Sequence, residues 1–127
     1  TTRDMADCLR RVMFHERIPE AERFRISQEM ADFLRFGGNG LTGLETKHGD
    51  RGPYAWKKSG ETVYPEARYF HKAGLISTYV LDLACLDDRK ASGRAVIVAA
   101  SAGTGKEETM SGICRAALEW AKAQPKP

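Results

Sequence analysis

The segment that most narrows what this chain can fold into is Arg94–Ser101, which reads Arg-Ala-Val-Ile-Val-Ala-Ala-Ser. A strand sends successive side chains to opposite faces, so a run that is apolar on both must be covered on both sides. Two further β-rich runs precede it, Arg68–Ala73 and Thr78–Leu86. Gly74 interrupts the first two, and Asp87-Asp88-Arg89-Lys90-Ala91-Ser92-Gly93 separates the second pair with turn-forming residues. Connections this short cannot carry a chain across a sheet, so the runs at 68–73, 78–86 and 94–101 predict a three-stranded antiparallel meander.

Helices are expected on either side of it. Thr1 and Asp4 have the spacing of a capping box, with Asp in place of the usual Glu. Met5, Cys8, Leu9, Val12 and Met13 then recur at helical spacing, which predicts an amphipathic helix over 3–16. Ile18-Pro19 breaks it, and Pro19 suits the first position of a second helix over 19–36, which carries Phe24, Met30, Ala31, Phe33 and Leu34 and stops at Gly37-Gly38. A last helix over 107–123 presents Met110, Ile113, Cys114, Ala117, Leu118 and Ala121 as a packing stripe, with Trp120 beside it. Residues 37–66 hold seven of the twelve glycines, together with Pro53 and Pro65, and show little periodicity. Short strands are expected there at Leu44–Lys47 and Ala55–Lys58, in what otherwise reads as a functional or disordered loop. The expected fold is a single α+β segment in the order helix, helix, glycine-rich loop, meander, helix. Such a meander needs more helical cover than these residues supply, and a chain opening on a helix cap without an initiator Met reads as part of a longer polypeptide.

Composition removes several functions. With 42% apolar and 29% charged residues the chain has the balance of a globular protein. No apolar run approaches the ~18 residues of a membrane span. The net charge of +3 is spread along a chain in which bases alternate with acids, whereas a nucleic-acid binder gathers its cations into a patch. Cys8, Cys85 and Cys114 are odd in number and lack the Cys-x-x-Cys spacing; they are expected to be buried free thiols and do not indicate a compartment. His15, His48 and His71 have no partners at ligand spacing, so they read as surface or turn residues. Neither a metal nor a cofactor is expected. Ser101–Lys106 stands where a phosphate-binding loop would, between a strand and a helix. Its first glycine position is Ala100, and Glu107 replaces the hydroxyl that would hold Mg²⁺, setting a negative charge beside the phosphates. That segment reads as a polar turn.

The remaining constellation is His71-Lys72-Ala73-Gly74 at the end of the first strand of the meander. It resembles the Lys-[Thr/Ser]-Gly motif of the serine β-lactamase and penicillin-binding transpeptidase superfamily, above all the class A β-lactamases. Thr1-Thr2-x-Asp4-Met5-Ala6 is similar to the start of a helix in that family, and Ile18-Pro19-Glu20 to the start of the helix that follows. The order of a loop, a Lys-x-Gly strand, two antiparallel strands and a C-terminal helix is also the family's. The resemblance covers nearly all of this chain but only the C-terminal half or so of such a protein. It therefore implies an incomplete β-lactamase-like α/β domain, periplasmic or secreted, completed by a missing N-terminal portion of the parent chain and acting on β-lactams or peptidoglycan-type peptides.

By that resemblance Lys72 places an ammonium beside the nucleophile and attracts a substrate carboxylate. Gly74 lets a ligand backbone approach, and the backbone N–H of Leu75 is one donor of an oxyanion hole. Ala73 departs from the motif by lacking its hydroxyl. The family's Ser-x-x-Lys and Ser-Asp-Asn motifs are absent from all 127 residues; Ser27-Gln28-Glu29-Met30 and Ser111-Gly112-Ile113-Cys114 both lack the lysine. Acyl transfer needs an activated nucleophile, so the chain alone is not expected to be an enzyme.

The alternative is a non-catalytic binding module. Tyr54, Trp56 and Tyr64, set among Lys47, Arg51, Lys57 and Lys58, would give the 37–66 loop an aromatic and cationic surface for an acidic or carbohydrate ligand. Exposed apolar sheet surfaces are expected to drive self-association if the chain folds alone.

Overall fold

Thr1 caps the first helix as predicted. Its hydroxyl accepts from Asp4 N–H, and the Asp4 carboxylate returns a bond to the backbone of Thr1, which satisfies donors a helix start otherwise leaves orphaned. In this computed structural model, which describes residues 1–46, 55–76, 79–103 and 107–125, helix α1 runs over Thr2–Met13 and a 3₁₀ turn follows at His15–Arg17. The second expected helix is much shorter than 19–36: a 3₁₀ turn occupies Glu20–Glu22, and helix α2 covers only Gln28–Phe36. The reason is a competing cap. The Ser27 hydroxyl accepts from Met30 N–H at 3.1 Å, so the helix starts there and Phe24 lies outside it, with the Arg11 guanidinium 5.8 Å from its ring. Arg35 ties α2 to α1, donating to Val12 O at 2.9 Å and pairing with Glu16 at 2.9 Å.

The segment expected to be a loop contains more order than its composition implies. Strands β1 (Gly37–Gly38) and β2 (Leu41–Thr42) form a tight antiparallel hairpin. Its turn residues Asn39 and Gly40 have φ of 51° and 82°, the left-handed values that an Asn-Gly hairpin turn uses. A short β3 (Glu45–Thr46) follows. Ala55–Lys58, expected to be a strand, belongs instead to helix α3 (Ala55–Val63). Trp56, Ser59, Gly60 and Val63 recur along it at helical spacing and are buried. Gly60 masks the pattern, and close packing demands it: a Cβ there would stand 2.7 Å from Leu86 Cδ2.

The meander forms from β4 (Arg68–Ile76), β5 (Tyr79–Asp88) and β6 (Arg94–Ala102), all antiparallel, with Phe70 opposite Cys85 and Cys85 opposite Ile97. It is not three-stranded, because β3 adds to the β4 side and the order is β3-β4-β5-β6. The α+β class stands. Gly93, at φ 79°, closes the turn between β5 and β6. Helix α4 (Glu107–Ala123) has the bounds the sequence predicts.

Two apolar layers sandwich the sheet. Trp56, Tyr64, Ala84, Leu86, Met110 and Leu118 pack on the face covered by α3 and α4. Leu9, Met13, Phe70, Leu83 and Cys85 pack beneath α1 on the other. Val96 and Val98 of β6 join the first layer and Ile97 and Ala99 the second, so the apolar run is covered on both faces. No helix among the described residues is long and apolar enough to cross a membrane.

Two sequence readings of single residues need correction. His15 is buried, with its ring nitrogens 3.3 Å from Gln28 Oε1 and 3.2 Å from Phe24 O; it is a junction between α1 and the chain that follows. Cys8 is exposed, while Cys85 and Cys114 are fully buried, because Cys8 lies beside the buried Leu9–Met13 stripe and not on it. Desolvation pushes both buried thiols up to about 12, and only the thiolate reacts. A disulfide-exchange reagent at pH 8 is therefore expected to titrate one thiol per native chain quickly and the other two only on unfolding. Fast release of all three would contradict these positions.

Candidate functional site at the open edge of strand β4

An antiparallel ladder directs the backbone groups of successive residues to alternate neighbours. His71 N–H donates to Leu44 O at 2.8 Å on the β3 side, so odd-numbered residues of β4 face that side and even-numbered ones face β5. β3 accompanies β4 only as far as this point, with Thr46 opposite Tyr69 and Glu45 opposite Phe70. Leu44 N–H then turns away to Leu34 O at 2.9 Å. Beyond His71, the N–H and C=O groups of Ala73 and Leu75 therefore face an edge with no paired strand among the described residues.

Lys72 stands at this edge. It is exposed, its ammonium donates to Ala73 O at 2.5 Å, and no carboxylate pairs with it among the described residues. A groove of about 310 Å³ runs beside it, with Thr42, Gly43 and Leu44 as one wall and His71, Lys72 and Ala73 as the other. The far wall is rigid for a steric reason: a Cβ on Gly43 would lie 2.4 Å from Gly37 N and 2.5 Å from Arg35 O. Gly74 is different. Among the described residues a Cβ there would meet only Leu81 Cβ, at 4.0 Å, so their packing does not demand glycine and its effect is to leave the strand open. A run of backbone donors with no strand partner, beside an ammonium that bonds only the Ala73 carbonyl among the described residues, can hold an extended backbone and a carboxylate or an oxyanion. Neither serine nor cysteine is among the described lining residues.

Behind the groove, on the opposite face of β4, lies a buried polar cluster that sequence reasoning missed. Asp82 is 1% exposed and His71 9%. His71 Nε2 is 2.9 Å from Asp82 Oδ1, Trp56 N–H donates to Asp82 Oδ2 at 3.1 Å, and the Trp56 indole N–H donates to Asp82 O at 2.9 Å. The Tyr69 ring stacks on His71 with centroids 5.6 Å apart. His71 is thus an interior residue and not the surface histidine the sequence reading made it. The missed signal was Asp82, one carboxylate inside Thr-Tyr-Val-Leu-Asp-Leu-Ala-Cys-Leu, since a buried carboxylate requires partners. The same geometry takes Trp56, Tyr64 and Lys57 out of the exposed aromatic and cationic surface that the sequence suggests. Trp56 and Tyr64 are 2% and 3% exposed and belong to the core, Lys57 is buried within 3.4 Å of Glu61, and Tyr54 lies outside the described residues. Trp56 is at the start of α3, whose inner face its indole anchors, so it cannot also serve a surface. Lys47, Arg51 and the Thr104–Lys106 part of the polar turn are likewise outside the described residues. No group of His, Cys, Asp and Glu suited to a metal ion occurs among those described.

No family model, curated protein or solved structure matches this chain.

Removing the carboxylate in Asp82→Ala strands the Trp56 backbone donor and takes away the close neighbour of His71, and is expected to lower stability by about 3 kcal/mol, read by chemical denaturation. Gly74→Ala is expected to change stability by less than about 1 kcal/mol. A large loss there would show that glycine serves the fold and not the groove.

Proposed function

We propose that this chain is the C-terminal portion of a β-lactamase-like serine hydrolase or transpeptidase, supplying the Lys-x-Gly wall of the substrate groove but not the nucleophile. The observation that carries this reading is the Lys72 ammonium beside a strand edge whose Ala73 and Leu75 backbone groups have no strand partner among the described residues. In the proposed reaction a serine outside these residues attacks the substrate carbonyl, giving an acyl-enzyme that water or an amine resolves. Lys72 attracts the substrate carboxylate, Gly74 keeps the approach clear, and Leu75 N–H donates to the oxyanion as it forms. One such donor is worth about 3 kcal/mol of transition-state stabilisation. Ala73 offers no hydroxyl to an acidic substrate group, which weakens carboxylate binding relative to a Thr or Ser.

Uncovered apolar surface supports the need for a completing partner. Leu41 and Trp120 are 65% and 68% exposed, and Met30, Phe36 and Ile113 are also exposed. The backbone groups of Ala95, Ile97, Ala99 and Ser101 point away from β5 by the same alternation. An N-terminal portion of the parent chain, or a second copy, would cover these. A periplasmic or secreted location follows from the family reading alone.

The test is labelling of the full-length gene product with a fluorescent penicillin. A covalent adduct on a serine outside residues 1–127, weakened at least about tenfold by Lys72→Ala, is expected; a folded product with no adduct would sink the hydrolase. A second reading is a non-catalytic binder that accepts an extended peptide at the β4 edge, held by the Ala73 and Leu75 backbone groups. It predicts reversible peptide binding that depends on Lys72 without any adduct.

A further inference from the structure

On the other side of β3 from the Lys72 groove lies a second cavity, of about 270 Å³, roofed by α3. Its floor is apolar, formed by Gly60, Ala67 and Leu86. Tyr64 also lines it, 3% exposed and with a hydroxyl that has no hydrogen-bond partner among the described residues. Burial raises the Tyr64 pKa above its usual value, and the charges that act on the phenol are Arg94 and Asp88, outside the cavity lining.

The rim is charged but mostly committed. Glu45 pairs with Arg68 at 2.7 Å and Glu61 with Lys57 at 3.4 Å. Glu66 is exposed and has no ion-pair partner among the described residues. Among the described lining residues three carboxylates face two cations, which favours a positive charge in the cavity, although Glu66 also borders Arg17, Arg89 and Lys90 in the neighbouring groove. An apolar cavity of ~150 Å³ accepts benzene, so this one has room for a ring with a short arm. Moreover, Glu45 and Thr46 line both this cavity and the Lys72 groove. The strand they form is two residues long and pairs only with β4, so it is a thin wall between two sites.

We propose that this cavity binds a small amphipathic monocation, an aromatic ring carrying a primary amine, and that its occupancy is transmitted across β3 to the Lys72 groove. The site stands whether or not a serine nucleophile exists elsewhere, because the probe reacts with nothing and the readout is binding. Amide NMR of the full chain titrated with phenethylamine tests it, with ethylbenzene and phenylpropionate as neutral and anionic counterparts. Saturable shifts are expected at Thr46, Gly60 and Ala67, weaker for ethylbenzene and absent for phenylpropionate, and at saturation Leu44 and Ala73 should move as well. Glu66→Gln, an exposed change that leaves the core alone, should weaken phenethylamine by about two- to fivefold, and Ala67→Leu should fill the space and abolish binding. No saturable shift at Gly60 and Ala67, equal binding of the anion, or binding indifferent to Glu66→Gln would overturn the site. Cavity shifts that leave Leu44 and Ala73 unmoved would overturn the transmission.

Discussion

The carboxylate of Asp82 is the point on which the arrangement of this molecule turns. Placed in the middle of the sheet, it cannot be hydrated, and an unpartnered charge there would cost several kcal/mol. Its two oxygens are met by His71 and the Trp56 backbone N–H, while the carbonyl of the same residue takes the indole proton. Three elements are thereby fixed together: the start of α3, the middle of β4 and the middle of β5. Helix capping is usually done by a neighbour in sequence; here a residue 26 positions away satisfies an orphan donor at the helix start. The direction of α3 is set by this contact as much as by its apolar face.

That arrangement also positions the edge of β4. His71 and Lys72 are consecutive, so the ring that turns inward and the ammonium that turns outward are coupled by strand alternation alone. Ala73 stands directly opposite Asp82 in the register. The polar cluster is thus a support beneath the groove, and the glycines at 37 and 43 brace the groove from the other side through backbone approaches that no side chain could replace.

The parts of this fold legible in the sequence were those with an unambiguous period. The both-faced apolar run at 94–101, the turn residues at 87–93 and the stripe of α4 led to the meander and its last helix. The glycine-rich middle was opaque because glycine there serves three purposes that look alike in sequence. Gly40 supplies a turn conformation, Gly43 a backbone contact and Gly60 a close helix–sheet approach; counted together they resemble a loop. The Asn39-Gly40 pair was a hairpin signal, and Trp56 with Val63 was a helical one. The second helix was overestimated because Pro19 is a good helix start and Ser27 a better one. At the candidate site, Lys72 and Gly74 stand out in the sequence as a Lys-x-Gly run, whereas His71 and Asp82 are joined only by strand pairing, which a linear reading does not supply.

The outer border of β6 carries one more implication. Its odd-numbered backbone groups point outward, its even side chains lie in the layer beneath α4, and its odd ones lie in the layer beneath α1. Any segment that docks there prolongs both oily strata at once, one side chain up and the next down. Its composition is consequently constrained in advance: it must be a ribbon with no wet side, as uniformly aliphatic as the one it joins.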